Sequence, residues 1–498
     1  MVIKRHEGNN VTRYTLENTA IKSMTPLISS LTISSRNKNN ETYASYIIFK
    51  DGVMTNAKNG TTGVVDYSGA DAATVIQSAI NALTTGRTWY EKIYLKGYFS
   101  LSTTSLYNAD YCIFELDGQF DNDIVFITPN NLILKGITGQ AIGVYQPVGD
   151  ITIDRCKSVA SAGHGIWIRT SPSATTNKNI KITNNIVDSA NFTGIRVWNE
   201  TSTTNVIENL IIDGNLIINH ARRNSNFDPG IDVVGGTIER ILINNNIIEN
   251  DGNKSDGISV ERASGFSTSP SKVVITNNIL ENIYGSGILI YNLNAFGYSI
   301  IANNLLLDVA NISSPSCGIV ILRSSYINII GNIIKNARLG ILIEGDVTFT
   351  AARNTVMGNS IETITGTDAI GEYGTVLNNS IIGNQIPGTK NIATVIGSGT
   401  IVKLNKNWTT ENDVLSATFT IDSTGIKTVT IPHGLNITPA VQDCYLTVIE
   451  NTAVDDWAYN LLKVVSTNAK NVTCKINVMT ASLTGGATAK LGLRAGNP

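Results

Sequence analysis

The sequence predicts an all-β chain organised around a parallel β-helix. Three observations predict it: a phrase that recurs roughly every thirty residues, a period-two alternation of apolar residues inside each recurrence, and a change of texture after Trp408. Composition permits such a core. The 498 residues are 42% hydrophobic, while charged residues are 15% against about 25% in an average soluble protein. About one residue in nine is asparagine. A formal charge of −2 excludes a nucleic-acid protein that works by bulk electrostatics.

The first half of the phrase appears as IKITNNIV (180–187), LIIDGNLI (210–217), ILINNNII (241–248), VVITNNIL (273–280), SIIANNLL (299–306) and INIIGNII (327–334). The second half appears as GIWI (165–168), GIRV (194–197), GIDV (230–233), GISV (257–260), GILI (287–290), GIVI (318–321) and GILI (340–343). Asn185, Asn215, Asn246, Asn278, Asn304 and Asn332 share one slot, which Cys156 fills a turn earlier. The steps drift between 26 and 32 residues, and no unit holds a long 3.6-residue period, so helical arrays are excluded. Short half-buried strands stacked about 4.8 Å apart remain. The Asn slot is expected at a tight turn with left-handed backbone, its amides bonding from coil to coil. Gly before Ile is expected to mark a second tight turn.

The remaining elements follow in order. Residues 1–62 read as an N-terminal β segment, with strand-like YIIFKDGVM at 46–54. Residues 63–140 read as a capping helix and the first coils. Asp71 caps that helix, and Ala73, Ile76, Ile80 and Leu83 form its apolar stripe. The plug shields the open end of the solenoid at 141–405. Residues 406–498 carry longer alternating strands, expected as an antiparallel β-sandwich-like module for trimerisation or glycan binding. The five cysteines form neither a CxxC pair nor a zinc cluster, and read as small buried residues. Pairing of Cys444 with Cys474 stays open. Met1 to Asn10 have no apolar signal core, and no stretch is long enough to span a bilayer.

Asp71-Ala-Ala-Thr-Val-Ile-Gln-Ser-Ala-Ile80, IYLKGYF (93–99) and NLILKGITG (131–139) resemble the start of pectate-lyase-superfamily proteins. With the coils, the resemblance covers roughly 63–400, and it implies a right-handed solenoid. The family's Gly-Asp-Gly and Asp-Asp pattern is degenerate here (TGVVDYSGADAA), so the resemblance is weak for activity. His433-Gly434-Leu435 and Pro439 are similar to terminal modules of phage tail fibres and tailspikes. The three-part order resembles a viral tailspike. That resemblance implies a homotrimer on the virion tail, outside the cell, released by lysis without a signal peptide. It implies binding of a host surface polysaccharide and often its cleavage. Residues 1–62 would contact other tail proteins.

Ile of each Gly-Ile strand points inward, so two outward columns can be read up the solenoid. The first is Trp167, Arg196, Asp232, Ser259, Leu289, Val320, Leu342. The second is Arg169, Trp198, Val234, Glu261, Tyr291, Leu322, Glu344. His164, Glu200, Asp228, Asp256 and Arg262 adjoin them. Tryptophan faces stack on pyranose rings, and Arg169 or Arg196 can take a uronate carboxylate in a bidentate grip. Asp232 and Glu261 lie one coil and two residues apart, about 8 Å between Cβ atoms, which suits the carboxyl spacing of an inverting glycosidase. Asp228 and Asp256 are alternative partners. Tyr291 and Glu200 extend the binding surface. No cofactor is called for, although a calcium-dependent lyase would draw on Asp228, Asp232 and Asp256. The bland alternative is a solvated face, with Arg196 and Asp232 an ordinary cross-strand pair. The apolar strip Leu289, Val320, Leu322, Leu342 needs a cover, and a subunit contact is favoured over a loop such as 262–272 or 292–299. Three functions fit: a glycan-hydrolysing tailspike, a non-enzymatic virion adhesin of the same fold, and a polysaccharide lyase or epimerase.

Overall fold

The computed structural model describes residues 2–8, 11–17, 44–170, 177–200, 206–223, 228–250, 255–263, 266, 268–293, 299–309, 317–366, 368–387, 391–392, 397–403, 405–408, 415–420, 425–432, 444–451, 459–467, 471–478 and 488–495. The chain forms two units, 1–43 and 44–498. The first holds an antiparallel hairpin, Val2–Gly8 with Val11–Glu17.

In the second unit the apolar alternation folds into three long sheets of 16, 11 and 12 strands. Successive coils pair in parallel without slip over the repeat: Ile180, Leu210, Ile241 and Val273 lie in one row. The first long sheet starts earlier than the sequence suggests. Tyr46–Asp51 pairs in parallel with Glu91–Phe99, because Tyr46 and Ile48 point into the core. Residues 46–59 therefore belong to this sheet rather than to a separate N-terminal segment.

The helix spans Ala72–Asn81, and the Asp71 carboxylate caps it by accepting from the N–H groups of Ala73 and Thr74. Hydrogen bonding, led by the Thr74 hydroxyl, holds the Asp71 carboxyl at about 2. The expected stripe of Ala73, Ile76, Ile80 and Leu83 is buried.

The Asn slot divides its two tasks between consecutive residues. The left-handed position is the one before the slot: Asn184, Gly214, Asn245, Asn277, Asn303 and Gly331 have φ between 54° and 67°. The slot residue itself is buried and builds a ladder. Asn185 Nδ2 donates to Asn215 Oδ1, Asn215 to Asn246, Asn246 to Asn278, Asn278 to Asn304 and Asn304 to Asn332, each at 2.9 Å. Each amide oxygen also accepts the backbone N–H of the slot below, as Asn278 does from Asn246 at 3.0 Å. Cys156 ends the ladder by giving its N–H to Asn185 Oδ1 at 2.8 Å.

The Gly-Ile glycines stand at bends just before their strands, as expected, but without a positive φ, and what calls for glycine there is space. A Cβ on Gly257 would stand 2.2 Å from Leu280 Cδ2 and 2.4 Å from the Gly287 carbonyl oxygen. Cys112, Cys156 and Cys317 are buried thiols outside any disulfide, pushed up to about 12 by desolvation, and so are inert. Residues 415–495 hold two three-stranded antiparallel sheets. Cys444 and Cys474 lie on strands of different sheets, and 433–443, with the His-Gly-Leu motif, fall outside the described residues. Among the described residues no helix is long and apolar enough to cross a membrane.

Asn246→Ala would strand the Asn215 and Asn278 amides in the interior. Urea unfolding is expected to show a loss of about 3–5 kcal/mol, from two or more buried unsatisfied groups at about 1–3 kcal/mol each. Asn245→Gly, at the adjacent left-handed position, is expected to stay within about 0.5 kcal/mol.

Candidate functional site

The columns read from the sequence are rows of cross-strand neighbours in the twelve-stranded sheet. Trp167 pairs with Arg196, Arg196 with Asp232, Asp232 with Ser259 and Ser259 with Leu289. Arg169, Trp198, Val234, Glu261 and Tyr291 form the parallel row. The Ile and Val residues between them are buried, so these side chains stand on the outer face.

Asp232 is the centre of the arrangement and only 3% exposed. Arg196 Nε lies 3.3 Å from its Oδ2, yet the contact is not aligned as a hydrogen bond, and Asp232 Oδ1 has no partner. Burial outweighs the guanidinium, and the fields of Glu261, Asp228 and Asp256 add to it, so the Asp232 carboxyl rises to about 7. Asp256 also rises to about 7 by burial, although its Oδ1 accepts the Ser286 N–H at 2.6 Å. Burial raises Glu261 and Asp228 too, each against the pull of Arg196. Asp228 Oδ2 has no partner. Asp232 and Asp256 thus feel the neighbouring carboxyls, while Arg196 acts on Asp228, Asp232 and Glu261 and Arg223 on Asp228.

His164 adjoins this group, its Nε2 3.5 Å from Arg196 Nη1. Burial first, and Arg196 second, lower it to about 4, so the ring is neutral at pH 7. Trp167 lies against the coil below. A Cβ on Gly143 would be 2.4 Å from the indole, so glycine there seats the ring, which stays half-buried. Trp198 is not a free platform. Arg169 lies 4.6 Å and Arg196 5.0 Å from its ring, and Arg169 also covers Tyr145 at 5.5 Å. Arg169 is further committed to Glu200, at 2.6 Å. Arg169 and Arg196, expected to orient the glycan, are each paired with a carboxylate of this chain, and the Nε of each has no hydrogen-bond partner.

Tyr291 and Arg262, which adjoin Glu261, have partners on later coils. The Tyr291 hydroxyl accepts from Arg323 at 2.8 Å, and Arg323 pairs with Asp346 at 2.6 Å. Arg262 lies 5.3 Å from the Phe349 ring. The segment after Glu344 therefore returns along the face, a cover not foreseen from sequence. Val320 (1% exposed) and Leu342 (3%) are buried with Cys317 within this chain, against Leu289, Leu322 and Leu339. The apolar strip accordingly needs no subunit to cover those two residues, contrary to the favoured expectation. Among the described residues no three His, Cys, Asp or Glu side chains are placed to hold a metal ion, so Asp228, Asp232 and Asp256 do not form the calcium cluster considered.

Sequence reasoning missed His220. It is fully buried, its Nε2 is 3.1 Å from the Asp256 carbonyl oxygen, and desolvation lowers it to about 4. Its place in the repeat carried the signal: the same inward column holds Ala190, Ile283, Val309 and Ala337.

Residues 130–306 match the family model described as right handed beta helix region, which agrees with a right-handed solenoid. No curated protein matches the chain. Among solved structures, the chain is similar to the A-module of Azotobacter vinelandii mannuronan C-5 epimerase AlgE4, at 17% identity over 67% of this chain and 96% of that one, TM-score 0.41. It is similar to a double mutant of the tailspike protein of E. coli bacteriophage HK620, at 11% identity over 85% and 90%, TM-score 0.44. It is also similar to the siphovirus 9NA tailspike receptor binding domain, at 11% identity over 83% and 86%, TM-score 0.35.

A folded carboxyl near 7 and an unfolded one near 3.8 mean that the unfolded chain loses its proton first. Asp232 therefore makes stability fall as pH rises from about 4 to 7. Asp232→Asn is expected to raise Tm by a few degrees at pH 8 and to leave it nearly unchanged at pH 4, as differential scanning calorimetry at the two pH values would show.

Proposed function

We propose that the chain is a virion-borne receptor-binding spike that binds a host surface polysaccharide on the twelve-stranded face and cleaves a glycosidic bond there. One observation carries the enzymatic reading: Asp232 is buried on the outer row, with an unpartnered Oδ1, among three further carboxyls. A carboxyl near 7 keeps a large share of its proton at neutral pH, so Asp232 can protonate the leaving glycosidic oxygen from Oδ1. Glu261, one coil up and two residues along, would draw a proton from the attacking water. A separation of about 8 Å leaves room for that water and favours inversion. The half-buried Trp167 ring offers a stacking surface one coil below Arg196. Asp256 and Asp228 reinforce the proton affinity of Asp232 through their fields.

The virion reading is supported by the sequence resemblance and by the order of hairpin, solenoid and terminal antiparallel sheets. Self-association as a trimer has separate support on the eleven-stranded sheet. Ile186, Leu216, Ile247, Ile279, Leu305 and Ile333 are cross-strand neighbours on its outer face, alternating with the fully buried row Val187 to Ile334. An apolar outer row over six coils is an association surface by its chemistry.

Host envelope polysaccharide incubated with the protein should release new reducing ends. Asp232→Asn with Glu261→Gln should cut that release by at least a thousandfold and leave binding within about threefold. Unsaturated products absorbing in the ultraviolet would instead indicate lyase chemistry, and binding without any cleavage an adhesin. Light scattering should give three times the chain mass, and Ile247→Lys with Ile279→Lys should give the single-chain mass with an unchanged circular-dichroism spectrum.

A further inference from the structure

The charges around Asp232 bear on which glycan could enter. Asp228 and Glu261 are close enough to raise the proton affinity of both Asp232 and Asp256, while Arg196 pulls on Asp228, Asp232 and Glu261 and Arg223 on Asp228. Arg196 is paired with Asp232 at 3.3 Å, and Arg169 with Glu200 at 2.6 Å. Both guanidinium groups also lie on Trp198. At the rim, Arg223 lies over Phe192 at 5.2 Å and Arg262 over Phe349 at 5.3 Å. The buried polar atoms without a hydrogen-bond partner within the group are two oxygens, Asp232 Oδ1 and Asp228 Oδ2, the neutral ring nitrogen His164 Nδ1, and the Nε donors of Arg169 and Arg196, the last held 3.3 Å from Asp232 Oδ2. These suit hydroxyl and amide groups, which both donate and accept hydrogen bonds.

We infer that the sugar bound at Asp232 is uncharged, a hexose or N-acetylated hexosamine, and that uronates are excluded there, because four carboxyls gather on these coils and the two nearest arginines, Arg169 and Arg196, are already paired within the chain. A ligand carboxylate would meet like charge on the adjoining coils. To gain a cation it would have to displace Asp232 from Arg196 or Glu200 from Arg169, leaving a protein carboxylate in the low-dielectric face without its partner. Rejection by like charge is a strong source of discrimination in such a setting. A neutral ring meets no such barrier, and its apolar face can stack on Trp167 while its hydroxyls reach Asp232 Oδ1.

The inference rests on the glycan-binding reading above, and the experiment separates the two. The full-length protein would be titrated by calorimetry with purified bacterial surface polysaccharides, neutral ones and uronate-containing ones, each of the latter beside its carboxyl-reduced form. The expected result is binding to neutral chains, with carboxyl reduction strengthening binding of any recognised uronate chain at least tenfold. Asp232→Asn with Glu261→Gln should narrow that gap to within about threefold. A chain whose affinity falls tenfold on carboxyl reduction would overturn the inference and leave glycan binding intact. No binding to any polysaccharide would overturn the glycan-binding reading, and the inference with it.

Discussion

From Asn185 to Asn332 each coil holds one buried asparagine, whose side-chain N–H is given to the amide oxygen of the next coil at 2.9 Å. That oxygen also takes the backbone N–H of the coil below, so the amides within this ladder are engaged on both sides. Buried polar groups cost most when unpaired, and this gives the ladder a single acceptable register. A slip of one residue would turn the apolar row outward and leave the amides without partners. The stacking of the other two sheets follows from this pin.

A second pin lies at the Gly-Ile strands. There the carbonyl of one coil comes so near the glycine above or below that a Cβ has no room. Between the two pins the chain length varies, and the variation is absorbed outside the strands. The twelve-stranded sheet consequently keeps its register from Ile166–Arg169 to Ile341–Glu344, although the coils differ in length. Residues thirty apart in sequence become neighbours about 4.8 Å apart. Asp232 and Glu261 meet Arg196 for this reason, and their raised proton affinities, like that of Asp256, come first from the burial that the stacked coils impose.

The twelve-stranded face departs from the otherwise consistent packing. Asp232 and Asp256 are buried carboxyls that disfavour the ionised folded state, and His220 places an imidazole in a column of small and aliphatic residues. Such conflicts between a residue and its environment are characteristic of sites, where stability is given up for reactivity. They cluster on neighbouring coils, while the ladder and the apolar rows continue above and below without interruption.

The order of coils, the capped helix and both outward rows were legible in the sequence, because strand alternation and a fixed repeat are local properties. Asp232 and Glu261 could be put on adjoining coils from their offsets within the phrase alone. What the alternation could not convey is which neighbour a long side chain chooses. Arg169 turns to Glu200 and Trp198, Arg323 holds Tyr291 and Asp346, and Phe349 returns over Arg262. Nor could it show that the left-handed residue precedes the ladder asparagine, or that Gly143 makes room for Trp167. Periodicity determines the row in which a residue stands. Contacts across coils and returning segments, which depend on side-chain reach and on space left by neighbours, decide whether its charge is paired, buried or open to a ligand.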